Sequence, residues 1–425
     1  MLDIKLIRES PEIVISNLNK RKDHEKIKWI EIIKEKDEKW KKLHIEVDEL
    51  RHERNEVSRK IGQLKKEGKD TKELMMRASS IPEEINKKEE EKNKLKNDID
   101  NYLLQIPNIM HESVPYGKSD DENLEIKKWG EPKKFDFEIK NHVEAGENLG
   151  LLDFEISAKL SGHGFYILRG QLALLNRALI NFAIDFMTEK GYTYIESPLM
   201  MKKEVYSRVV SFNDFEDVMY KIDGEDSYLI ATAEHPLNAQ FVDEIIDEDQ
   251  LPLKFAGYSM CFRKEVGSTG IDTKGLFRTH QFNKVEQIVI CRPEDSWKLH
   301  EELQENCEGI LQALNLPYRV VNVCTGDLGN FAAKKYDTEV WMPRQNKYRE
   351  TMSNSNYTDY QTRRSNVKIG KQGSGNYRLP HSLNNTALAT SRILVAIIEN
   401  YQQSNGSIEV PEILQKYMNN IKIIK

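Results

Sequence analysis

Apolar residues recur at alternating spacings of three and four along two segments near the start of the chain. The first seam runs through Trp40, Leu43, Val47, Leu50, Arg54, Val57, Ile61 and Leu64, and the second through Leu74, Ala78, Ile81, Ile85, Lys88, Lys92, Leu95, Ile99 and Tyr102. Three of these positions, Arg54, Lys88 and Lys92, are charged, so we expect poorer packing there. This is the heptad pattern of helices that pack as a coiled coil. Because only a short stretch separates the segments, the two helices are expected to run antiparallel as a long hairpin arm.

The turn of this arm carries helix-end signals. Gly68 can end the first helix, and Asp70 can cap the second with Glu73 as its capping-box partner. Pro82 interrupts the second segment, so we expect it to kink the helix or to mark a restart.

The rest of the chain has a different pattern. Proline and glycine punctuate residues 107–140, which predicts a linker between an arm of residues 1–106 and a globular domain of residues 141–425. The globular part predicts helices over Leu172–Lys190, Pro293–Leu314 and Thr386–Gln402, and strands over Leu253–Phe262, Phe282–Cys291, Tyr318–Cys324 and Lys347–Ser355. Mostly antiparallel strands with helices gathered around them indicate an α+β fold, not an alternating βαβ order.

Charge adds one feature to this picture. The net charge of −6 argues against a wholly basic nucleic-acid coat, but not against a local basic patch. Residues 51–77, at the outer end of the arm, carry nine basic and five acidic residues. A basic tip on a thin rod suits a phosphate backbone. On charge alone, an ordinary solvated coiled coil is the simpler explanation.

Cysteine spacing and apolar runs exclude some classes of protein. The four cysteines, Cys261, Cys291, Cys307 and Cys324, have no CxxC spacing, which predicts buried, reduced thiols and no zinc site. The N-terminal sequence lacks the apolar core of a signal peptide, and no run approaches ~18 apolar residues. We therefore expect a cytoplasmic protein with no membrane partner. No P-loop or Rossmann glycine motif occurs.

Candidate chemistry concentrates on one predicted hairpin. The loop ends and the second strand carry Arg263, Glu265, Arg278, Phe282 and Glu286. Two arginines, a ring and two acids suit a nucleotide phosphate, a base and an amino acid. Taken singly, each residue has a plainer explanation.

Those plainer explanations are structural. Arg263 could form a surface ion pair with Glu265, Phe282 could simply pack in the core, and Glu286 could pair with Lys284 on the same strand face.

The wording of this hairpin, CFRKEVG (Cys261–Gly267) followed by THQFNKVE (Thr279–Glu286), resembles motif 2 of class II aminoacyl-tRNA synthetases, and in detail the seryl-tRNA synthetases. Leu172–Met200 resembles motif 1, and Leu383–Gln402 resembles motif 3. Two further segments, Ala231–Leu237 and Tyr348–Asn356, resemble sequences found in seryl-tRNA synthetases. Ordered segments along essentially the whole chain make the resemblance specific.

The resemblance implies a ligase that forms an aminoacyl-tRNA bond, built on an antiparallel sheet flanked by helices. It implies that ATP and Mg²⁺ activate L-serine to seryl-adenylate, and that serine then passes to the 3′ end of serine tRNA. It allows selenocysteine tRNA as a second acceptor. It further implies a homodimer whose arm grips the long variable arm of the tRNA, reading shape more than sequence.

Carried over residue by residue, the resemblance implies a site. Catalysis is assigned to Arg263 and Arg392. L-serine is assigned to Thr232, Ala233, Glu234, Arg263, Glu286 and Thr386. ATP is assigned to Arg263, Lys264, Glu265, Arg278, Thr279, Phe282, Glu350, Thr351, Met352, Ser353 and Arg392, with Glu350 and Ser353 also facing magnesium.

Some positions depart from common family spellings. Asn354 stands where many members have cysteine, and Thr351–Met352 replaces the frequent Ile–Ser. Thr386 replaces a serine and keeps its hydroxyl. We interpret His235, which follows the Thr-Ala-Glu triplet, as a permitted variant and not as a ligand.

Three other functions compete with a synthetase. A paralogue that loads a carrier protein is disfavoured by the long arm and by the lack of an evident zinc-ligand set. A non-catalytic RNA-binding or scaffold paralogue is disfavoured because Arg263, Glu286, Thr386 and Arg392 are intact. A plain coiled-coil interaction protein leaves motifs 2 and 3 unexplained.

Overall fold

The computed structural model describes residues 1–265 and 275–425, apart from the side chains of Asn213 and Asp214. Val266 and Gly267 of the CFRKEVG segment, and most of the loop that follows, lie outside the described residues. The chain forms two compact units, Met1–Ile109 and Met110–Lys425.

The N-terminal unit is helical. Its helices are α1 (Ile4–Glu9), α2 (Pro11–Lys20), α3 (His24–Lys66) and α4 (Lys72–Gln105). The two long helices form the predicted antiparallel hairpin, with Val47, Val57, Ile81 and Ile85 buried in its seam. Coiled-coil packing from a heptad seam is therefore confirmed.

Gly68 ends the first helix of the hairpin, as predicted. Its φ is +71°, a left-handed conformation that favours glycine. Its N–H donates to the Lys65 carbonyl at 3.3 Å, and the Lys69 N–H donates to the Leu64 carbonyl at 3.0 Å. Both bonds satisfy carbonyls that the helix leaves open at its end.

Two predictions about the second helix of the hairpin were wrong. Thr71, not Asp70, is the N-cap residue, and the Asp70 side chain instead accepts from the Lys72 N–H at 2.9 Å. The alternative that the helix restarts at Pro82 was also wrong, because one continuous helix includes this proline. Ile81 and Ile85, buried on either side of the proline, hold that turn against α3.

The C-terminal unit is built on one eight-stranded sheet. Its strands are β1 (Leu124–Trp129), β4 (Thr193–Glu196), β8 (Leu253–Phe262), β9 (Gln281–Cys291), β10 (Tyr318–Asn322), β11 (Lys334–Met342), β12 (Lys347–Asn356) and β14 (His381–Ala389). Their order across the sheet is β1-β10-β11-β12-β14-β9-β8-β4. All neighbours in this sheet are antiparallel except β4 and β8, which are parallel. Short pairs complete the strands: β2 (Leu152–Asp153) with β3 (Ile167–Leu168), β5 (Met200–Lys202) with β6 (Ser227–Leu229), β7 (Ile245–Ile246) with β13 (Lys368–Ile369), and β15 (Ile408–Glu409) with β16 (Ile423–Ile424).

Helices flank this sheet. They are α5 (His142–Asn148), α6 (Glu155–Ser161), α7 (Gly170–Glu189), α8 (Lys203–Tyr206), α9 (Phe212–Phe215), α10 (Glu234–Ala239), α11 (Ser296–Ala313), α12 (Tyr360–Arg364), α13 (Thr390–Asn400) and α14 (Glu412–Gln415). The apolar faces of α7, α11 and α13 pack with the sheet in one large core. The α+β class and its antiparallel sheet are confirmed.

The sequence pattern misassigned part of the sheet. The predicted helix Thr386–Gln402 is a strand up to Ala389 and a helix only from Thr390 to Asn400. The strand β14 lies between two others and is buried along nearly its whole length, so it lacks the polar-apolar alternation of a half-buried strand. The strand β11 was not predicted, and β1 lies within residues 107–140, where composition predicts a linker.

A bulge in β14 sets which of its residues face β9. Thr386 lies opposite Glu286, but the next pair is Leu388 opposite Val285, so Ala387 is an extra residue. Thr386 and Glu286 therefore lie side by side on neighbouring strands.

All four cysteines are buried, as predicted. Among the described residues, no helix has the length and apolarity needed to cross a membrane.

Candidate active site

A cavity of about 620 Å³ opens beside β8, β9, β12 and β14. Most of the predicted site residues line it; they are Thr232, Glu234, Arg263, Glu265, Arg278, Thr279, Phe282, Glu286, Glu350, Thr351, Ser353, Thr386 and Arg392. The fold thus brings together residues that are far apart in sequence.

Three predicted site residues are not part of the cavity wall. Ala233 and Met352 are buried in the protein interior. Lys264 donates its backbone N–H to the Val218 carbonyl at 2.9 Å, and its ammonium lies 5.9 Å from the centre of the Tyr220 ring.

One end of the cavity is organised around Glu286, whose side chain is completely buried. Its Oε1 accepts from the Asn384 amide at 2.5 Å, and its Oε2 accepts from the Thr232 hydroxyl at 3.3 Å. Oε2 also forms an ion pair with Lys284. The plainer explanation of Glu286, pairing with Lys284, is therefore present, but both side chains line the cavity as well.

A second carboxylate, that of Glu234, lies at the same end. Burial and the charge of Glu286 raise the pKa of Glu234 to about 7, against the opposing effect of Lys284. Gln361 donates to its Oε1 at 3.4 Å. The ionised form of such a carboxylate is unfavourable without a partner, so the group binds either a proton or another cation.

The cavity wall also carries arginines and aromatic rings. Arg263 donates from Nε to the Ala231 carbonyl at 3.2 Å, and its guanidinium carbon lies 5.2 Å from the centre of the Phe282 ring. The Nε of Arg278 lies 3.6 Å from a carboxylate oxygen of Glu265. Phe282 keeps contact with the cavity although its side chain is mostly buried.

Arg392 is held in place by backbone and side-chain groups. It donates to the Glu350 carbonyl at 2.6 Å and to the Phe277 carbonyl at 3.3 Å, and its guanidinium carbon lies 5.1 Å from the centre of the Phe277 ring. Burial raises the pKa of Glu350, but the charges of Lys335, Arg392 and Arg263 outweigh it and hold the pKa below its ordinary value. The cavity therefore presents fixed cationic groups beside an ionised carboxylate.

Comparisons with known proteins agree with this site. The seryl-tRNA synthetase N-terminal domain family matches residues 1–110, and the tRNA synthetase class II core domain family (G, H, P, S and T) matches residues 217–401. The serine--tRNA ligase of Methanocella arvoryzae is 51% identical over 425 residues, which cover 100% of both chains. The chain belongs to the seryl-tRNA synthetase family.

Solved structures of family members share the whole fold. The seryl-tRNA synthetase of Pyrococcus horikoshii, complexed with ATP, matches with a TM-score of 0.94 and 46% identity, covering 100% of this chain and 99% of that one. The cytoplasmic serine-tRNA ligase of Naegleria fowleri, in complex with AMP, matches with a TM-score of 0.90 and 37% identity over the same shares.

The structure adds residues to this synthetase site that sequence reasoning missed. Asn384 donates to Glu286 and accepts from the Tyr357 hydroxyl at 2.8 Å, which fixes the orientation of its amide. Lys335 also lines the cavity and lies 3.0 Å from Asp337. Asn384 could have been predicted from its position two residues before Thr386, because residues two apart on a strand lie on the same face of the sheet.

His235 lines the cavity too, although the sequence suggested no contact for it. Its Nδ1 lies 2.7 Å from the Tyr206 hydroxyl. Burial lowers the pKa of His235 to about 3, with Lys284 and Arg263 acting in the same direction, so its imidazole is neutral near pH 7.

Proposed function

We propose that this chain activates L-serine with ATP and transfers the seryl group to the 3′ end of serine tRNA. The observation that carries the proposal is one cavity whose wall combines the buried Glu286, opposite Thr386, with Arg263, Arg278 and Arg392. Family membership supports the same assignment.

The serine end selects by hydrogen bonding. Glu286 and Thr386 bind the side-chain hydroxyl of serine, and Glu234 binds its ammonium group. When alanine enters, the buried polar groups around Glu286 lose a partner, which is the condition under which an enzyme rejects an analogue strongly. In the free protein, Lys284 forms an ion pair with the Glu286 carboxylate.

The arginine end binds ATP. The Phe282 ring receives the adenine, Arg263 binds the α-phosphate, and Arg278 and Arg392 bind the β- and γ-phosphates. A carboxylate oxygen of serine attacks the α-phosphorus, while the bond from that phosphorus to pyrophosphate breaks. Held in line, the reactants need no general base, because alignment and arginine charge supply the acceleration.

Magnesium fits the donors at this end. Mg²⁺ prefers oxygen ligands and offsets the charge of a polyphosphate. The ionised Glu350 carboxylate and the Ser353 hydroxyl, both on the cavity wall, would hold it.

The second step consumes the seryl-adenylate. The 3′-hydroxyl oxygen of the terminal tRNA adenosine bonds to the seryl carbonyl carbon, the bond from that carbon to the phosphate of AMP breaks, and the hydroxyl proton leaves with AMP. The helical hairpin of residues 1–106 grips the tRNA, and residues 141–425 carry the chemistry. The enzyme acts as a cytoplasmic homodimer, with selenocysteine tRNA as a further acceptor.

Two assays test this function. Purified protein is expected to attach labelled serine to serine tRNA and to catalyse serine-dependent exchange of pyrophosphate into ATP. Arg263→Ala is expected to abolish both. Arg292→Ala is the matched control, because Arg292 pairs with Glu248 outside the cavity. Exchange driven by another amino acid but not by serine would contradict the proposal, and serine loading of a carrier protein in place of tRNA would identify a paralogue.

A further inference from the structure

Two side chains on the cavity wall, Phe215 and His235, have no part in the binding of serine or ATP proposed above. Phe215 is the last residue of α9 and is 41% exposed, although it belongs to the cavity wall. His235 follows Glu234 on α10 and packs near Phe215, with the ring centres 6.5 Å apart and the rings nearly perpendicular. An exposed ring at the mouth of a polar cavity offers a face to an incoming planar group.

Hydrogen bonding fixes the tautomer of His235. The Tyr206 hydroxyl oxygen accepts from the Ala231 N–H at 3.2 Å and lies 2.7 Å from Nδ1 of His235. Nδ1 is the single acceptor that the described residues offer to the Tyr206 hydroxyl proton. Nδ1 therefore accepts, and the neutral ring carries its proton on Nε2. Within residues 1–265 and 275–425, Nε2 has no hydrogen-bond partner.

This wall is connected directly to the reacting end of the cavity. The same Ala231 whose N–H binds Tyr206 accepts from Nε of Arg263 through its carbonyl, at 3.2 Å. A short chain of hydrogen bonds thus joins His235 to the arginine proposed for the α-phosphate. Under the proposed function, we expect a ligand on this wall to lie close to the phosphate that Arg263 binds, and so near the seryl carbonyl that the second step attacks.

We propose that Phe215 and His235 receive the 3′-terminal adenosine of the tRNA. The base stacks on the Phe215 ring, and the Nε2–H of His235 donates to the ribose 2′-hydroxyl, which leaves the 3′-hydroxyl to attack. A neutral donor and an aromatic face suit a nucleoside, whereas a phosphate or carboxylate calls for a cation. This inference rests on the proposed function, since it assigns the residues for its second step.

The test separates the two steps of the reaction. In Phe215→Ala, single-turnover transfer from preformed seryl-adenylate to serine tRNA is expected to fall about 10- to 100-fold, the loss expected of one base stack. Pyrophosphate exchange is expected to change far less, so the ratio of transfer to exchange falls at least about tenfold. Phe215→Tyr keeps the ring and is expected to restore that ratio. Tyr116→Ala, which removes an exposed ring outside the cavity, is the matched control.

Altered tRNA substrates identify the contact. A tRNA whose terminal nucleotide lacks its base is expected to slow transfer in the wild type, with no further loss in Phe215→Ala, because the two changes remove one interaction. A terminal 2′-deoxyadenosine is expected to behave in the same way with His235→Ala.

Three outcomes would overturn the inference: unchanged transfer in Phe215→Ala, equal losses of exchange and transfer, or additive losses with the altered tRNAs. Absence of serine-dependent exchange in the wild type would instead count against the proposed function, so the two failures are distinguishable.

Discussion

At the scale of single residues, the two oxygens of Glu286 are held by different partners. Asn384 binds Oε1, whereas Thr232 and Lys284 bind Oε2. A carboxylate held on both oxygens cannot turn away from the cavity without breaking buried hydrogen bonds. We therefore expect Glu286 to set specificity through a fixed position as well as through its charge.

Glu286→Ala tests this role. We expect kcat/KM for serine to fall at least about 100-fold, because the serine hydroxyl loses its buried partner. The preference for serine over alanine is expected to shrink with it, as measured by pyrophosphate exchange with each amino acid. Thermal unfolding of Glu286→Ala and Glu286→Gln shows whether the loss of a partner for Lys284 destabilises the fold. Equal losses for serine and alanine would contradict a role in specificity.

Glu234 predicts a pH dependence. Its pKa of about 7 in the free protein means that it is protonated at lower pH and ionised at higher pH. Only the ionised form attracts the ammonium of serine, so kcat/KM for serine is expected to rise with pH up to about 7 and then level off. In Glu234→Gln, kcat/KM for serine is expected to be low at every pH, and the rise towards pH 7 is expected to disappear. An unchanged step in Glu234→Gln would assign the titration to another group.

The same shift affects stability in the opposite sense. The pKa of Glu234 is raised in the folded chain from an ordinary value of 4.5 to about 7, so the folded state binds the proton more tightly than the unfolded state. The contribution of Glu234 to the free energy of unfolding therefore declines as pH rises from 4.5 to about 7.

The resemblance to seryl-tRNA synthetases predicted most of the residues now found around the cavity, but it did not predict the residues that hold them in place. Asn384 is 98 residues from Glu286 along the chain, and the pairing of β14 with β9 brings them together. Tyr357 reaches Asn384 only through the same fold. No local pattern encodes contacts of this kind, because they depend on strand order and register.

At the scale of elements, the arm was the part most accessible to sequence reasoning. A heptad seam encodes a hairpin locally, and Gly68 encodes its turn. The strand β14 was inaccessible for the opposite reason, since a fully buried central strand has the continuous apolar character of a buried helix. The predicted restart at Pro82 was wrong because buried residues on both sides of the proline keep the helix packed and continuous.

Shortening the arm tests its role. Deleting residues 52–88 and joining the ends through a short glycine loop retains the Arg51–Glu89 ion pair at the new tip and removes most of the basic cluster. We expect serine-dependent exchange to persist, and KM for serine tRNA to rise at least about tenfold, because phosphate contacts are lost. A full-length variant with Lys65, Lys66 and Lys69 changed to Gln isolates charge from length. Loss of exchange in the shortened chain would make the arm a folding element.

At the scale of the whole molecule, apolar side chains are exposed along Leu172–Met200, the segment that resembles motif 1, which is the dimerisation element of class II synthetases. Leu174 is 42% exposed and Met200 45%. Exposed apolar groups within one segment are typical of a surface that a partner covers. They support the proposed homodimer. In such a dimer, the resemblance further implies that the arm of one subunit presents the tRNA to the active site of the other.

A mixed dimer tests this arrangement. One chain carries the shortened arm, the other carries Arg263→Ala, and at a tRNA concentration well below the raised KM each homodimer is expected to charge tRNA far more slowly than the wild type. If the arm serves the partner subunit, the mixed dimer regains up to about half of the wild-type charging rate, because one arm and one active site then cooperate. A mixed dimer without activity would mean that each arm serves its own subunit.

The bulge at Ala387 has a consequence for how this chain tolerates change. Asn384 and Thr386 before it and Ala389 after it all line the cavity, whereas Leu388 is wholly buried. The extra residue shifts the in-and-out alternation of side chains by one position. As a result, cavity-lining side chains before and after the bulge lie on the same face of the sheet. Gaining or losing a single residue here would exchange cavity side chains with core side chains. Over evolutionary time, we expect the length of this segment to be as strictly kept as the identity of Arg392 beyond it.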